Sequence, residues 1–548
     1  VWMVTAAVSV YCIAYRFYSL YIAKYVMQLD PNRLTPAERH NDGLDYVPTH
    51  KGVLFGHHFA AIAGAGPLVG PVLAAQMGYL PGTLWIIFGV VFAGAVQDMM
   101  VLFVSMRRDG KSLGDIVKQE LGTVPGVIAS IGILMIMVII MAVLALIVVK
   151  ALVHSPWGTF TIAATMPIAL FMGIYTRYIR PGKIGEISIV GFILLMLAVI
   201  YGDNVAHSSI GHWFDLDGLQ LTWAIMIYGF VASVLPVWLL LTPRDYLSTF
   251  LKIGTIVALA IGILIVSPAL QMPAVTHFID GSGPVFSGAL FPFLFITIAC
   301  GAVSGFHALI SSGTTPKMLE NETHVRMIGY GGMLMESFVA IMALAAAASL
   351  DPGVYFAMNS PAALIGTDAN TAAEVITIKL QFPVDAATLL HTAKEVGENT
   401  ILSRAGGAPT LAVGMAHIMS RLIPGEAMMA FWYHFALLFE ALFILTAVDA
   451  GTRAGRFMLQ DLLGNFVPAL GWVLLYFVWQ GVIVGAVSAV LLWLLRHASA
   501  RWRYAVCALA LLLCLCIPTV HLLSLLSGTS LAQLPMAAPP AWRAAARG

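Results

Sequence analysis

Residues 52–78 read GVLFGHHFAAIAGAGPLVGPVLAAQMG. The stretch is apolar and long enough to cross a bilayer, yet it carries adjacent histidines, His57 and His58, followed by Gly64, Gly66, Pro67, Gly70 and Pro71. Proline removes a backbone donor and clashes with the preceding turn, and glycine relaxes the backbone, so Gly64-Ala65-Gly66-Pro67 is expected to unwind a helix. Bare N–H and C=O groups are costly in lipid, so unwound backbone at membrane depth must line a polar cavity or lie buried in protein. A discontinuous helix with ionisable neighbours points to a transporter's substrate site. The plainer alternative is a kink packed against a neighbouring helix.

The rest of the chain fits a membrane setting. Of 548 residues, 60% are hydrophobic and 10% charged, which excludes a soluble core and predicts an all-α, polytopic transmembrane bundle in contact with lipid. The net charge is +1 and the basic residues are spread among short loops, so there is no nucleic-acid footprint. Three of the five cysteines, Cys507, Cys514 and Cys516, share one late apolar segment, which argues against a disulfide framework or a zinc finger. The first residue is Val1, not Met, and already lies in an apolar run, so a natural start is expected upstream and no targeting signal is read there.

Lys and Arg positions orient the spans. Stretches holding Arg33, Arg39 and Lys51, then Arg107, Arg108, Lys111 and Lys118, then Arg177, Arg180 and Lys183, then Arg244 and Lys252, then Lys317 and Arg326 alternate with loops poor in both, and are expected on the cytoplasmic side. The reading divides the chain into a peripheral helix and loop (1–51), a first five-helix repeat (52–202), a second repeat (203–450) and C-terminal peripheral helices with a tail (451–548). The second repeat includes a long outer segment, 351–398, and a Gly-rich re-entrant piece, 403–422. Counting five helices on from residue 52 reaches 222–242, where Gly229 and Pro236 make a second candidate break in a helix of opposite direction, as an inverted five-plus-five repeat requires. Residues 286–312 read as one helix. Residues 470–495 read either as two short helices broken near Gln480-Gly481 or as a place where material is missing.

Ionisable groups inside apolar spans cost about 2.5–3.5 kcal/mol on insertion scales and are functional candidates by default. Asp98 and Glu336 fall well inside spans 82–106 and 327–350, and either carboxylate suits a coupling proton; a structural hydrogen bond is the alternative for each. His58 is a further proton-coupling candidate, and His307 is placed to donate to a carboxylate or shuttle a proton. Substrate is expected against the backbone of Gly64, Ala65 and Gly66 and the side chains of Ser233, Ser304 and His307, although tight helix packing explains part of the small-residue run around Ser304. His57 and His58 project about 100° apart on a helix, so they do not easily share one metal. Asp203, His207 and His212 have loose metal-ligand spacing, and zinc is the ion that best suits either set. Glu440 and Asp449, near Arg453, read as packing and interface charges. The absence of a nucleotide-binding loop points to an ion gradient as the energy source, and no nucleophile and base stand recognisably together, so an enzyme is not expected.

Longer motifs add a family. RHNDGLDYVPTHKGVLFGHHFAAIAGAGPLVGPVLAAQMGYLPG (39–82), AGAVQDMMVLFVSMRRDGKSLG (93–114), RPGKIGE (180–186), PFLFITIACGAVSGFHALISSGTTPKML (292–319), IGYGGMLMESFVAIMAL (328–344), SRAGGAPTLAVGMA (403–416) and FWYHFALLFEALFILTAVDAGTRAGRFMLQDLLG (431–464) closely resemble the carbon starvation protein A (CstA) family of bacterial inner-membrane transporters. The resemblance runs over nearly everything from residue 11 to 464. It implies uptake of peptides when carbon is scarce, pyruvate as the substrate of close relatives, a proton as coupling ion, and a core similar to the amino acid–polyamine–organocation transporters. Family members also carry a further N-terminal span and a DPLGGIN…LWPLFGI-type segment after a run like YFVWQGV (476–482), where this chain continues Ile483-Val484-Gly485. A sensor that binds the same ligand without net flux, and a channel, are the competing classes.

Overall fold

Apolar runs of bilayer length fold here as helices because a helix satisfies its backbone groups within its own segment, without water. The computed structural model describes residues 1–526 apart from 154, 181–182, 426–427, 464–465 and 497–498, and among these there is no β-strand. Nine helices among the described residues are long and apolar enough to cross a membrane, and one bent pair makes a tenth candidate, so this is a multi-pass membrane protein. Two compact units are distinguished, residues 1–458 and 459–548.

The first unit begins with α1 (Trp2–Val26). The decisive stretch forms α2 (Lys51–Ile62) and α3 (Gly66–Met77), bent by 45° across the break. There follow α4 (Tyr79–Arg107), α5 (Thr123–Leu152), α6 (Pro156–Ile179), α7 (Ile184–Ala206), α8 (Gly218–Val234) and α9 (Leu241–Val266). Residues 290–313 are three pieces, α10 (Leu290–Thr297), α11 (Ala299–Ala302) and α12 (Gly305–Gly313). Then come α13 (Glu322–Ala348), four short helices α14 (Pro352–Asn359), α15 (Ala362–Ile365), α16 (Ala369–Ile378) and α17 (Ala386–Glu395), then α18 (Ala408–Leu422) and α19 (Met428–Leu463).

The core lies around α3, α13 and α18. Nearly all of α13 from Met333 to Ala348 is buried, and its alanine-rich end lets neighbours approach closely, as small residues do in lipid. The Tyr355 hydroxyl of α14 donates to Val72 O and Leu73 O at 2.9 Å each, so the short-helix segment is fastened onto the end of α3. Asp351, Asp368 and Asp385 cap α14, α16 and α17 through the first-turn N–H groups.

Four sequence expectations change. The Gly229 to Pro236 stretch is not a mid-span break: α8 runs through Gly229 and ends at Val234, because the residue before a proline is pushed out of the helical region. The interruption appears instead at Val303 (φ −149°, ψ 115°) and Ser304 (φ −118°, ψ 123°), inside the run read as one helix. Arg244 and Lys252, counted as loop charges, lie within α9 and are fully buried. In the second unit, α20 (Phe466–Leu494) is continuous through Gln480-Gly481 and packs against α21 (Ala500–Leu526), with the Tyr476 and His521 rings 5.3 Å apart.

Candidate functional site

Two interrupted helices cross at the centre of the first unit. A Cβ added to Gly66 would stand 2.2 Å from Cys300 Cβ, and one added to Gly70 would stand 2.3 Å from Thr297 O. Successive contacts thus pair rising numbers on α3 with falling numbers on α10 and α11, so the two run antiparallel. The glycines of the opening stretch are therefore required by close approach as well as by the break. Gly64 is less demanding, since its added Cβ would meet Ala447 Cβ at 3.1 Å.

Each interrupted element is followed by a long helix with a buried carboxylate. Asp98 on α4 and Glu336 on α13 both reach the fully buried His307 on α12. His307 Nδ1 lies 2.8 Å from Asp98 Oδ2, and Nε2 lies 2.8 Å from Glu336 Oε2, out of line for a good hydrogen bond. The Cys300 thiol donates to Glu336 Oε1 at 3.2 Å and sits 3.6 Å from His307 Nε2. Gln97 Nε2 donates to Ser304 O at 2.5 Å, which occupies a carbonyl freed by the interruption at 303–304. The Tyr11 and Ser337 hydroxyls, 2.6 Å apart, fasten α1 to α13 beside Glu336. Single π-type turns at 90–94 and 326–330 precede both carboxylates, the kind of insertion often found near functional sites.

The structure thus brings together Asp98, Glu336, His307 and Ser304, with the Gly66 crossing against Cys300. Ser233 lies elsewhere: its hydroxyl donates to Phe230 O at 2.7 Å, and the adjoining Ala232 O accepts from Arg453. His57 and His58 diverge as consecutive helical residues must. His57 Nδ1 meets Asp245 Oδ2 at 2.7 Å, whereas His58 Nδ1 meets Thr315 Oγ1 at 2.8 Å. His212 is exposed, with Nδ1 2.8 Å from Ser209 O, and the Asp203 side chain lies outside the described residues. The His57–His58 pair is therefore divided between two different partners, and the Asp203–His207–His212 set falls partly outside the described residues. The one three-donor set within metal-ligand reach among the described residues is Cys300, His307 and Glu336, whose donor atoms lie within 4.8 Å of one another.

A thiol, an imidazole and a carboxylate do stand together here, contrary to the sequence reading. Glu336 nevertheless stands nearer His307 Nε2 than the sulfur does and also accepts the hydrogen bond from the thiol. One ring therefore stands within 2.8 Å of carboxylate oxygens from two different helices.

Sequence reasoning missed a second buried polar layer. The Arg244 guanidinium contacts Asp449 Oδ2, which also accepts from the Tyr228 hydroxyl at 2.7 Å. Asp449 therefore pairs with Arg244, while Arg453 binds Asp45 Oδ1 at 2.7 Å. Glu440 is buried with neither oxygen hydrogen-bonded among the described residues. Asp245, Thr249 and Lys252 follow helical spacing and all face α2, contacting His57, Gly56 O and Ala60 O in turn. That i, i+4, i+7 pattern was the available signal. A pocket of about 310 Å³ between α7, α9, α18 and α19 is apolar, lined by residues such as Phe192, Met415 and Phe435, and shares no residue with the Asp98–His307–Glu336 cluster.

With this geometry in hand, comparison with known proteins is direct. A family model described as "Carbon starvation protein CstA" matches residues 1–500. The chain belongs to the carbon starvation protein CstA family. It is 68% identical over 474 residues to a peptide transporter CstA of Escherichia coli K12, covering 86% of this chain and 68% of that one. It is 62% identical over 491 residues to the pyruvate/proton symporter BtsT of the same organism, with 86% and 68% covered. A peptide transporter CstA of Bacillus subtilis is 44% identical over 494 residues, covering 90% and 79%. No solved structure matches the chain.

Proposed function

We propose that this chain is a proton-coupled secondary transporter of the bacterial inner membrane that takes up short peptides, with pyruvate as the alternative substrate. The names of the relatives support both substrates, and the name of one includes the proton. The observation that carries the coupling is the single ring of His307 held between Asp98 and Glu336.

The proton count follows from the ring. Each ring nitrogen stands 2.8 Å from a carboxylate oxygen, and a neutral imidazole carries a hydrogen on one nitrogen alone. A second proton, on the ring or on a carboxyl, lets both carboxylates stay in contact; its loss sets one of them against a bare nitrogen. Because the carboxylates ride on different helices, α4 and α13, that loss favours their separation. Asp98 Oδ1 has no hydrogen-bond partner among the described residues and is the acceptor left for a substrate amine, while the start of α3 at Gly66, ahead of Pro67 and of the Leu68 and Val69 N–H groups that donate to Ala65 O, offers a positive end for a substrate carboxylate. Pyruvate needs only the second feature. The Ser304 hydroxyl lies at the same crossing.

The test is uptake of labelled pyruvate and of a labelled tripeptide into proteoliposomes, with and without an inward proton gradient. Gradient-driven accumulation of one substrate, reduced to the level of protein-free liposomes in Asp98→Asn or Glu336→Gln, is the expected result. Binding without accumulation makes the protein a sensor, and flux indifferent to the gradient makes it a channel; either result overturns the proposal.

A further inference from the structure

Lys252 sits on α9 with its ammonium wholly buried. Nζ donates to Ala60 O at 2.9 Å, Ala63 O at 3.1 Å, Phe443 O at 2.9 Å and Thr446 Oγ1 at 2.6 Å. The Phe443 ring lies 4.2 Å away on the same cation. Four oxygens therefore surround a group with three hydrogens, and no carboxylate forms an ion pair with it among the described residues. An ammonium held this way is unusual, since buried lysines are ordinarily matched with an acid.

The oxygens have a common origin. Ala60 and Ala63 lie where α2 ends at the break, and a helix end leaves its last carbonyls without partners. Those carbonyls also form the negative end of the helix dipole. Thr446 and Phe443 come from α19, so the cage joins α2 to α19 around one positive charge. Carbonyl and hydroxyl oxygens without a carboxylate form a hard, uncharged environment, suited to an alkali cation and poor in the anionic ligands that divalent ions favour.

The geometry points to a monovalent-cation site, built from Ala60 O, Ala63 O, Phe443 O and Thr446 Oγ1, that the chain fills with its own Lys252 ammonium. Sodium, or a small alkylammonium ion, is the ligand class that takes its place when the side chain is shortened. This assignment does not depend on the transport reaction, because it concerns occupancy of the cage alone.

The test uses the full chain with Lys252→Ala. Its melting temperature in detergent is measured in NaCl, ethylammonium chloride and choline chloride at equal ionic strength. Sodium or ethylammonium is expected to raise the melting temperature of the variant by about 3 °C or more over choline, with wild type unchanged. Thr446→Val added to Lys252→Ala should abolish the response. Equal melting of Lys252→Ala in all three salts overturns the assignment, as does an equal response in wild type. Should Lys252→Ala not survive extraction in choline, survival in sodium supports the site, and loss in both salts overturns it.

Discussion

Arg244 and Asp449 show how much of this molecule depends on charges placed where lipid-facing residues would be expected. Asp449→Asn leaves the guanidinium buried against a neutral partner, a change that typically costs about 3–5 kcal/mol. The variant should melt well below wild type, and replacing both partners with leucine should recover most of the loss, because the Tyr228 hydroxyl then left without its acceptor costs less than an unpaired buried guanidinium. Equal melting of Asp449→Asn and wild type would remove the pair from the core. Gly66 makes the same argument through space. Gly66→Ala forces a Cβ to within 2.2 Å of Cys300 Cβ, and overpacking of this kind costs about 1–3 kcal/mol. Cys300→Gly in the same chain should restore stability, which thermal melting of the single and double variants checks.

The helical elements differ in how openly their sequences declare them. The break between α2 and α3 was legible because glycine and proline act on the backbone directly, whatever surrounds them. The interruption at Val303 and Ser304 was hidden: no proline marks it, and small residues pack equally well in a continuous helix. Lysine and arginine counting failed at α9, since Arg244 is paired with Asp449 and the Lys252 ammonium is held by backbone and hydroxyl oxygens of other helices, not by water. Gly229 misled in the opposite sense, being a close-packing position whose added Cβ would meet Thr452 at 3.3 Å. For the short helices the predictions are local. Tyr355→Phe removes the hydroxyl that holds the ends of Val72 and Leu73 and should cost about 1–2 kcal/mol, read as a lowered melting temperature. Bonds from the Thr388 side chain and N–H hold the Asp385 carboxyl below its usual range. A depressed carboxyl stabilises α17 above its unfolded value of 3.8, and that contribution is lost as pH falls through the folded value. At neutral pH Asp385→Ala should speed amide exchange across Ala386–Glu395, and the variant's disadvantage should disappear in acid; a pH-independent difference would contradict the cap.

For the molecule as a whole, the meeting of Asp98, Glu336 and His307 is the result that no local pattern contained. Each was visible singly as an ionisable residue in an apolar run, but their separation in the chain gave no sign that one ring joins them. A nearby consequence concerns Cys300. It stands at the crossing itself, whereas Cys12, Cys507 and Cys516 are exposed and Cys514 lies in the second unit. With those four replaced by serine or alanine, the molecule carries one natural thiol at this crossing, and alkylation by a maleimide becomes a stopwatch. Its rate reports how often α3 and α11 part company, without a dye, a spin label or an engineered residue. Substrate that wedges the helices apart would quicken the clock, and substrate that seals them would stop it.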